Sequence, residues 1–346
     1  MWSFFKESKR QKQKEETFLS NGKILLKELV ASSHGKYNLF HSFTDKEIKI
    51  ATNNYDQHNI IISGDFYLLY KGFLQDRSIS VVKFRFDIFL GAINSINIII
   101  FASQMSHKNI LKLIGCCLES QLPILVFELV ECGTLADCLY RSCEPHFEPS
   151  LLTHRLKIAM EIAHAIAYLH SGFRRPIIFR SIDPHTIVFN EQYVVKLFDF
   201  SHSIAIPEGK THVKDEVLGR FGFLAPEYLM TEKCNEKVDV YSFGIILLVL
   251  LTGFRATESS SWITVTCLNC NLEHVVKIYI EQDKFTKIVD PIVVGMRLSP
   301  EKEEQLQAFA ELAFKCVSDS AEDMPTMIDV AKQLRHIYKS TCQLMS

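Results

Sequence analysis

No apolar run in this 346-residue sequence is long enough to cross a membrane. The longest, residues 241–251, is too short to span and stands close behind Asp239. A bulk charge of either sign is also missing. Against 38 Lys and Arg there are 40 Asp and Glu, and a formal net charge of -2 gives no general pull toward nucleic acid or an anionic membrane. The ten cysteines form no regular framework and no secretory leader precedes them, so reduced thiols in a cytoplasmic protein are expected. The one C-x-x-C, Cys267 to Cys270, lacks a second ligand pair and reads as loop or core thiols rather than as zinc ligands. Residue 2 is Trp2, not glycine, which excludes N-myristoylation. What is present is ample apolar material: 47% hydrophobic residues can support a buried core and more than one small domain.

At the N-terminus, Lys6, Lys9, Arg10, Lys12 and Lys14 follow Trp2, Phe4 and Phe5. This reads as a disordered, solvated tail, with at most weak contact at the plasma-membrane surface. Residues 15–31 have helical spacing, with Phe18, Leu19, Gly22, Leu25, Leu26, Leu29 and Val30 on a stripe. Within it Gly22, Leu26 and Val30 form an i, i+4, i+8 line, and Gly22 admits a close backbone approach. Two readings stand open: the stripe packs on its own domain, or it meets a partner. Thr44 to Glu47 spells a capping box and predicts a short helix. Strands are expected at 60–63, 66–73 and 78–86, a helix at 93–105, strands at 110–117 and 123–129, and a long helix at 151–170. His107 opens a turn and reads as structural.

Residues 176–227 organise the rest. The stretch contains Phe179-Arg180-Ser181, then Asp199-Phe200-Ser201, then Ala225-Pro226-Glu227. At that spacing the last two resemble the D-F-G and A-P-E that bracket a protein kinase activation segment, and the first falls where the catalytic loop H-R-D-x-x-x-x-N belongs. Ser80-Val81-Val82-Lys83 resembles the V-A-I-K of the third kinase strand, Phe127 falls near the gatekeeper position with Glu128 after it, and Val238-Asp239-Val240-Tyr241 matches the start of the central C-lobe helix. The resemblance implies an α+β, bilobal kinase fold: a small antiparallel N-lobe sheet with one helix, and a larger, mainly helical C-lobe. An N-terminal helical extension precedes them. The divisions are 1–42, 43–128, 129–340 and a tail at 341–346.

The chemistry is depleted within that frame. Ser181 stands in place of the catalytic base, and a serine hydroxyl is no carboxylate at neutral pH. Thr186 replaces the second metal ligand, normally Asn, leaving Asp199 to hold one Mg²⁺. Asp183 would repel a γ-phosphate, and as a displaced base it is expected to point elsewhere. Of the glycine loop only Gly64 remains, with Ile62 and Tyr67 in the other places and Asp65 adding like charge. Ile98 falls where a glutamate should pair with Lys83, and no Asp or Glu occurs from 88 to 118, so a one-turn error of alignment restores nothing. Lys83 thus reads equally as a strand lysine reaching the surface. Gly64, Lys83, Glu128 and Asp199 are the remaining nucleotide candidates, and affinity for ATP and Mg²⁺, if retained, is expected to be weak and not required. Arg180 usually clamps a phosphorylated loop residue, yet residues 212–230 contain no Ser or Thr. Glu227 normally pairs with an Arg whose place is taken by Met324; left buried and unpaired it would cost about 1–3 kcal/mol.

Over residues 43–337 the chain resembles plant receptor-like kinases of the wall-associated type, through residues 107–117 (HKNILKLIGCC) and the segment around Asp239. Shorter matches narrow this to the ZRK family of receptor-like cytoplasmic pseudokinases: residues 18–22, 26–30, 51–56 and 206–210. That resemblance implies a cytoplasmic adaptor of plant innate immunity. It would dock on the leucine-rich-repeat region of a coiled-coil NLR receptor and recruit a receptor-like cytoplasmic kinase modified by a bacterial effector. On this reading Gly22, Leu26 and Val30 form the receptor face. Thr211, His212, Val213 and Arg220 of the activation segment meet the recruited kinase, with bacterial effectors as further contacts and no role for nucleic acid. The alternative is a weakly active Ser/Thr protein kinase, or a nucleotide-binding regulatory kinase in receptor signalling.

Overall fold

The computed structural model describes residues 2–33, 40–85, 88–140, 152–257, 271–295, 299–318 and 320–345. Cys267 and Cys270 lie outside the described residues. The chain divides into two compact units. The first comprises Met1–Thr134 with Val188–Ser203, and the second Leu135–Ile187 with Ile204–Ser346. The division falls a few residues beyond the expected 128/129 boundary, and the segment ending in Asp199-Phe200-Ser201 belongs to the first unit.

The first unit opens with α1 (Trp2–Ser33), followed by β1 (His41–Ser42), α2 (Asp45–Ala51), β2 (Ile60–Ser63), β3 (Tyr67–Leu74), β4 (Arg77–Phe84), α3 (Ile88–Ala102), β5 (Leu113–Cys117) and β6 (Ile124–Glu128). The six strands form one sheet in the order β1-β5-β6-β4-β3-β2. Every pairing is antiparallel except β1 with β5. Helix α2 starts where the capping box predicts: Thr44 accepts from the Glu47 N–H, and the Glu47 carboxylate accepts from the Thr44 N–H. It covers one sheet face, where Ile48 and Ala51 pack with Tyr70, Ile79, Val81 and Val126.

The expectation of a disordered tail is overturned, although Lys9, Gln11, Lys12 and Gln13 are exposed as a solvated stretch would be. Residues 2–14 are the first half of α1, a single 32-residue helix. Lys14 Nζ reaches Asp45 at 2.8 Å and Glu119 at 3.3 Å, contacts 31 and 105 residues distant in sequence that helical periodicity cannot register.

The second unit begins with α4 (Leu135–Tyr140), α5 (Leu152–Ser171) and β7 (Ile177–Ile178). The chain returns to the first unit through β8 (Ile187–Phe189) and β9 (Val195–Leu197). It then continues as β10 (Ile204–Ala205), β11 (Val213–Lys214), α6 (Pro226–Thr231), β12 (Lys233–Cys234) and α7 (Glu236–Thr252), followed by α8 (Leu272–Glu281), α9 (Phe285–Ile288), α10 (Pro291–Val294), α11 (Pro300–Cys316) and α12 (Met327–Met345). The apolar run at 241–251 lies in α7, where every residue from Val238 to Thr252 is buried. A helix apolar on all sides is a core helix. Asn235 caps its start, and Gly253, at φ 72°, ends it in the left-handed conformation that glycine adopts without cost.

Candidate functional site

Helix α1 resolves its stripe into two faces. Asn21, Leu25 and Leu29 are buried, the last two at 5% and 7% exposure. Asn21 Nδ2 donates to the carbonyls of Leu118 and Ser120, both at 3.0 Å, fixing the helix to the loop between β5 and β6. Burial would raise the Asp45 carboxyl, but hydrogen bonds from Lys14 and Lys49 outweigh it and hold its pKa below the ordinary value. The other face is bare: Leu19, Leu26 and Val30 are 68%, 62% and 71% exposed, and no heavy atom would meet a Cβ on Gly22 within 4 Å. The packing reading of the stripe holds for the inner face, and the outer face is left exposed.

The side of the sheet opposite α2 is where a nucleotide should sit, and the residues present there do not fit one. Lys83 does not face it. In β4 it pairs with Leu68 and shares the α2 face with Val81, its Nζ 3.8 Å above the Tyr55 ring. Burial, with repulsion from Lys49, lowers the Lys83 pKa. The neighbouring Val82 takes the opposite face. There, Tyr67, in the place of a loop glycine, sets its ring edge-on against Phe198, with centroids 5.5 Å apart, and close to Phe84. Gly64 has turned its N–H onto Tyr67 O at 3.0 Å, so this donor is not presented to a phosphate. Glu128 is ion-paired with Lys196 at 2.6 Å. In the linker after β6, the Val130 N–H donates to Ser80 Oγ at 2.9 Å, closing a main-chain donor that a purine edge could use. Asp199 Oδ1 accepts from the Ser201 N–H at 3.1 Å. Among the described residues no group of three or more His, Cys, Asp or Glu could hold a metal ion.

Ile98 is fully buried, and the residue beside it does the polar work that sequence reading missed. Asn97 Nδ2 lies 3.0, 2.8 and 3.0 Å from the carbonyls of Phe200, Ser201 and Ser203. Phe101, one turn on, stacks on Phe200 at 6.5 Å. An amide thus ties α3 to the segment after Asp199, without an ion pair. The available signal was one Asn in an otherwise apolar stretch, residues 96–101.

In the second unit the degenerate loop is held by Asp239 of α7 and by its own side chains. Asp239, fully buried, accepts the N–H groups of Phe179 and Arg180 and faces His170 Nε2, each at 2.8 Å. Thr186 Oγ1 donates to the carbonyls of Ser181 and Asp183, so this hydroxyl serves the loop. Asp183, buried, accepts from the His185 N–H at 2.8 Å and pairs with Arg220 Nε at 3.3 Å. Arg180 Nη1 lies 2.7 Å from Asp215. Burial alone would lower the Arg180 pKa, but hydrogen bonds to Tyr228 and Asp215 raise it. Glu227 corrects an expectation: it is exposed, so no burial penalty arises, and Lys237 instead serves the carbonyls of Met324 and Pro325. Thr211, His212 and Arg220 are exposed and Val213 is half-buried. Phe221 and Met230, at 78% and 79% exposure, extend this surface beyond the residues that the sequence suggested.

A six-stranded sheet with α3 in one unit and a helical second unit built on α7 are the two parts of a protein kinase domain, and a model of that domain matches residues 91–337. Over 341 residues the chain is 39% identical to the non-functional pseudokinase ZED1 of Arabidopsis thaliana, covering 96% of this chain and 99% of that protein. It is 38% identical over 339 residues to the serine/threonine-protein kinase ZRK1 of the same plant, covering 93% and 92%. Against the putative wall-associated receptor kinase-like 16 of that plant, identity is 36% over 342 residues, covering 95% and 74%. The chain belongs to the ZRK family of protein-kinase-like proteins, related to the wall-associated receptor kinases. Among the described residues, no helix is long and apolar enough to cross a membrane.

Proposed function

We propose that this chain is a pseudokinase adaptor in plant innate immunity: it docks on the leucine-rich-repeat region of a coiled-coil NLR receptor and recruits an effector-modified receptor-like cytoplasmic kinase. The observation that carries this reading is the two-faced helix α1, whose inner line is pinned by Asn21, Leu25 and Leu29 while Leu26 and Val30 stay exposed beside a half-buried Gly22 with open space above it. A helix already ordered, with an apolar line outward, loses little conformational freedom on docking. The names of relatives such as ZED1, called a non-functional pseudokinase, agree with the absence of a catalytic carboxylate at Ser181. The test is co-purification with candidate NLR receptors. Leu26→Glu or Val30→Glu is expected to weaken binding at least 100-fold, about 2.7 kcal/mol. Ser181→Ala leaves binding unchanged. Retention of binding by both glutamate variants would remove α1 from the interface.

A second reading, a weakly active kinase, draws on the retained Asp199 and on the name of ZRK1. Thermal melting with Mg²⁺–ATP separates the two, because a ligand stabilises only a folded state that binds it. The expected result is no shift up to millimolar nucleotide, in the native chain and in Lys83→Ala alike. A clear shift in the native chain would favour the nucleotide-binding reading and call for a phosphoryl-transfer assay, and its loss in Lys83→Ala would also overturn the placement of Lys83 on the α2 face.

A further inference from the structure

We propose that Asp215 permanently occupies the place of an activation-segment phosphate, so that this segment keeps its ordered form without being modified. Arg180 sits at φ 60° with its N–H committed to Asp239, an arrangement that directs the side chain into the segment. Its Nη1 meets Asp215 Oδ2 at 2.7 Å, Tyr228 Oη at 3.2 Å and the Glu216 carbonyl at 3.4 Å. The guanidinium is 4% exposed, so this ion pair is shielded from solvent at its cationic end. A carboxylate is the same class of partner for a guanidinium as a phosphate, charged and oxygen-only.

Other contacts fix the residues around this pair. Val213 and Lys214 pair with Cys234 and Lys233, and the Asp215 N–H donates to Glu232 O at 3.1 Å. Tyr228 Oη donates to Glu216 O at 2.9 Å and accepts from the Leu218 N–H at 3.2 Å. The segment therefore has the anion that its arginine needs, while residues 212–230 offer no Ser or Thr hydroxyl to carry a phosphate. Control by phosphorylation of this stretch is replaced by a fixed charge. The inference concerns the free chain and stands whether or not the docking reading above is right.

Hydrogen–deuterium exchange on the full chain tests it. In Asp215→Asn, amides of residues 213–218 are expected to exchange at least tenfold faster, while the buried amides of α7 keep their native protection. Asp215→Glu restores the anion and is expected to return the segment to within threefold of native. Native protection in the Asn variant would overturn the proposal, as would a Glu variant as open as the Asn variant. A rise that extends equally through α7, or an Asn variant too unstable to purify, would also overturn it, because the effect would then be global rather than local.

Discussion

Asp239→Ala is expected to unfold the second unit or to bring it close to unfolding. Asp239 is fully buried and satisfies two backbone N–H groups, those of Phe179 and Arg180, and the His170 imidazole. Removing the carboxylate leaves two buried N–H groups without their acceptor, at about 1–3 kcal/mol each, and a partly buried imidazole without its partner. The sum is comparable with the whole stability of an ordinary domain, about 5–15 kcal/mol. Urea denaturation should show the unit unfolded, or its midpoint collapsed. An Asp239→Ala variant within 1 kcal/mol of native would disprove this account. The loop keeps a kinase-like path without a carboxylate at Ser181 because that path is fixed from α7.

Asn97→Asp is expected to be far worse than Asn97→Ala. The alanine removes a donor shared among three carbonyls, those of Phe200, Ser201 and Ser203. These oxygens are only partly buried and can turn to water, so the loss should be about 1–2 kcal/mol. The aspartate keeps the shape and reverses the role. A carboxylate would face three carbonyl oxygens at about 3 Å, and the expected cost is roughly 3 kcal/mol or more, as for a charge placed without a partner. Thermal melts rank the variants, and amide exchange at residues 198–203 should rise in both. Equal melts for the two would mean that packing of Phe101 on Phe200, rather than the amide, holds the segment.

Local chemistry was legible in the sequence where it is self-contained. The capping box at Thr44 to Glu47 and the strand Ile60–Ser63 need only near neighbours, and both stand where the pattern put them. The two faces of α1 were half legible: spacing gave one stripe, but only Asn21 finding Leu118 O and Ser120 O shows which line turns inward. The first half of α1 escaped because its one long-range anchor among the described contacts, Lys14, finds Asp45 and Glu119 only in the fold. Lys83 was misdirected because a match of letters does not fix strand phase, and in a strand one residue decides the face. Asn97 was hidden in an apolar helix, since its acceptors lie about 100 residues away. Glu227 was expected to need a buried partner, and solvent exposure removes that need.

The position of Lys83 over Tyr55 also limits what substitutions in the degenerate loop could build. Putting Asp at 181, Asn at 186 and Glu at 98 would restore three letters of an enzyme, yet the ammonium would still lie on the far side of the sheet from Phe198 and Asp199. To bring it across, β4 would have to slip by one residue, exchanging Val81 for Val82 and turning Ile79 out of the core it shares with α2. No single substitution does that while keeping the sheet. An ammonium on the Phe198 side would therefore have to come from another strand position, such as Val82 or Phe84, rather than from Lys83.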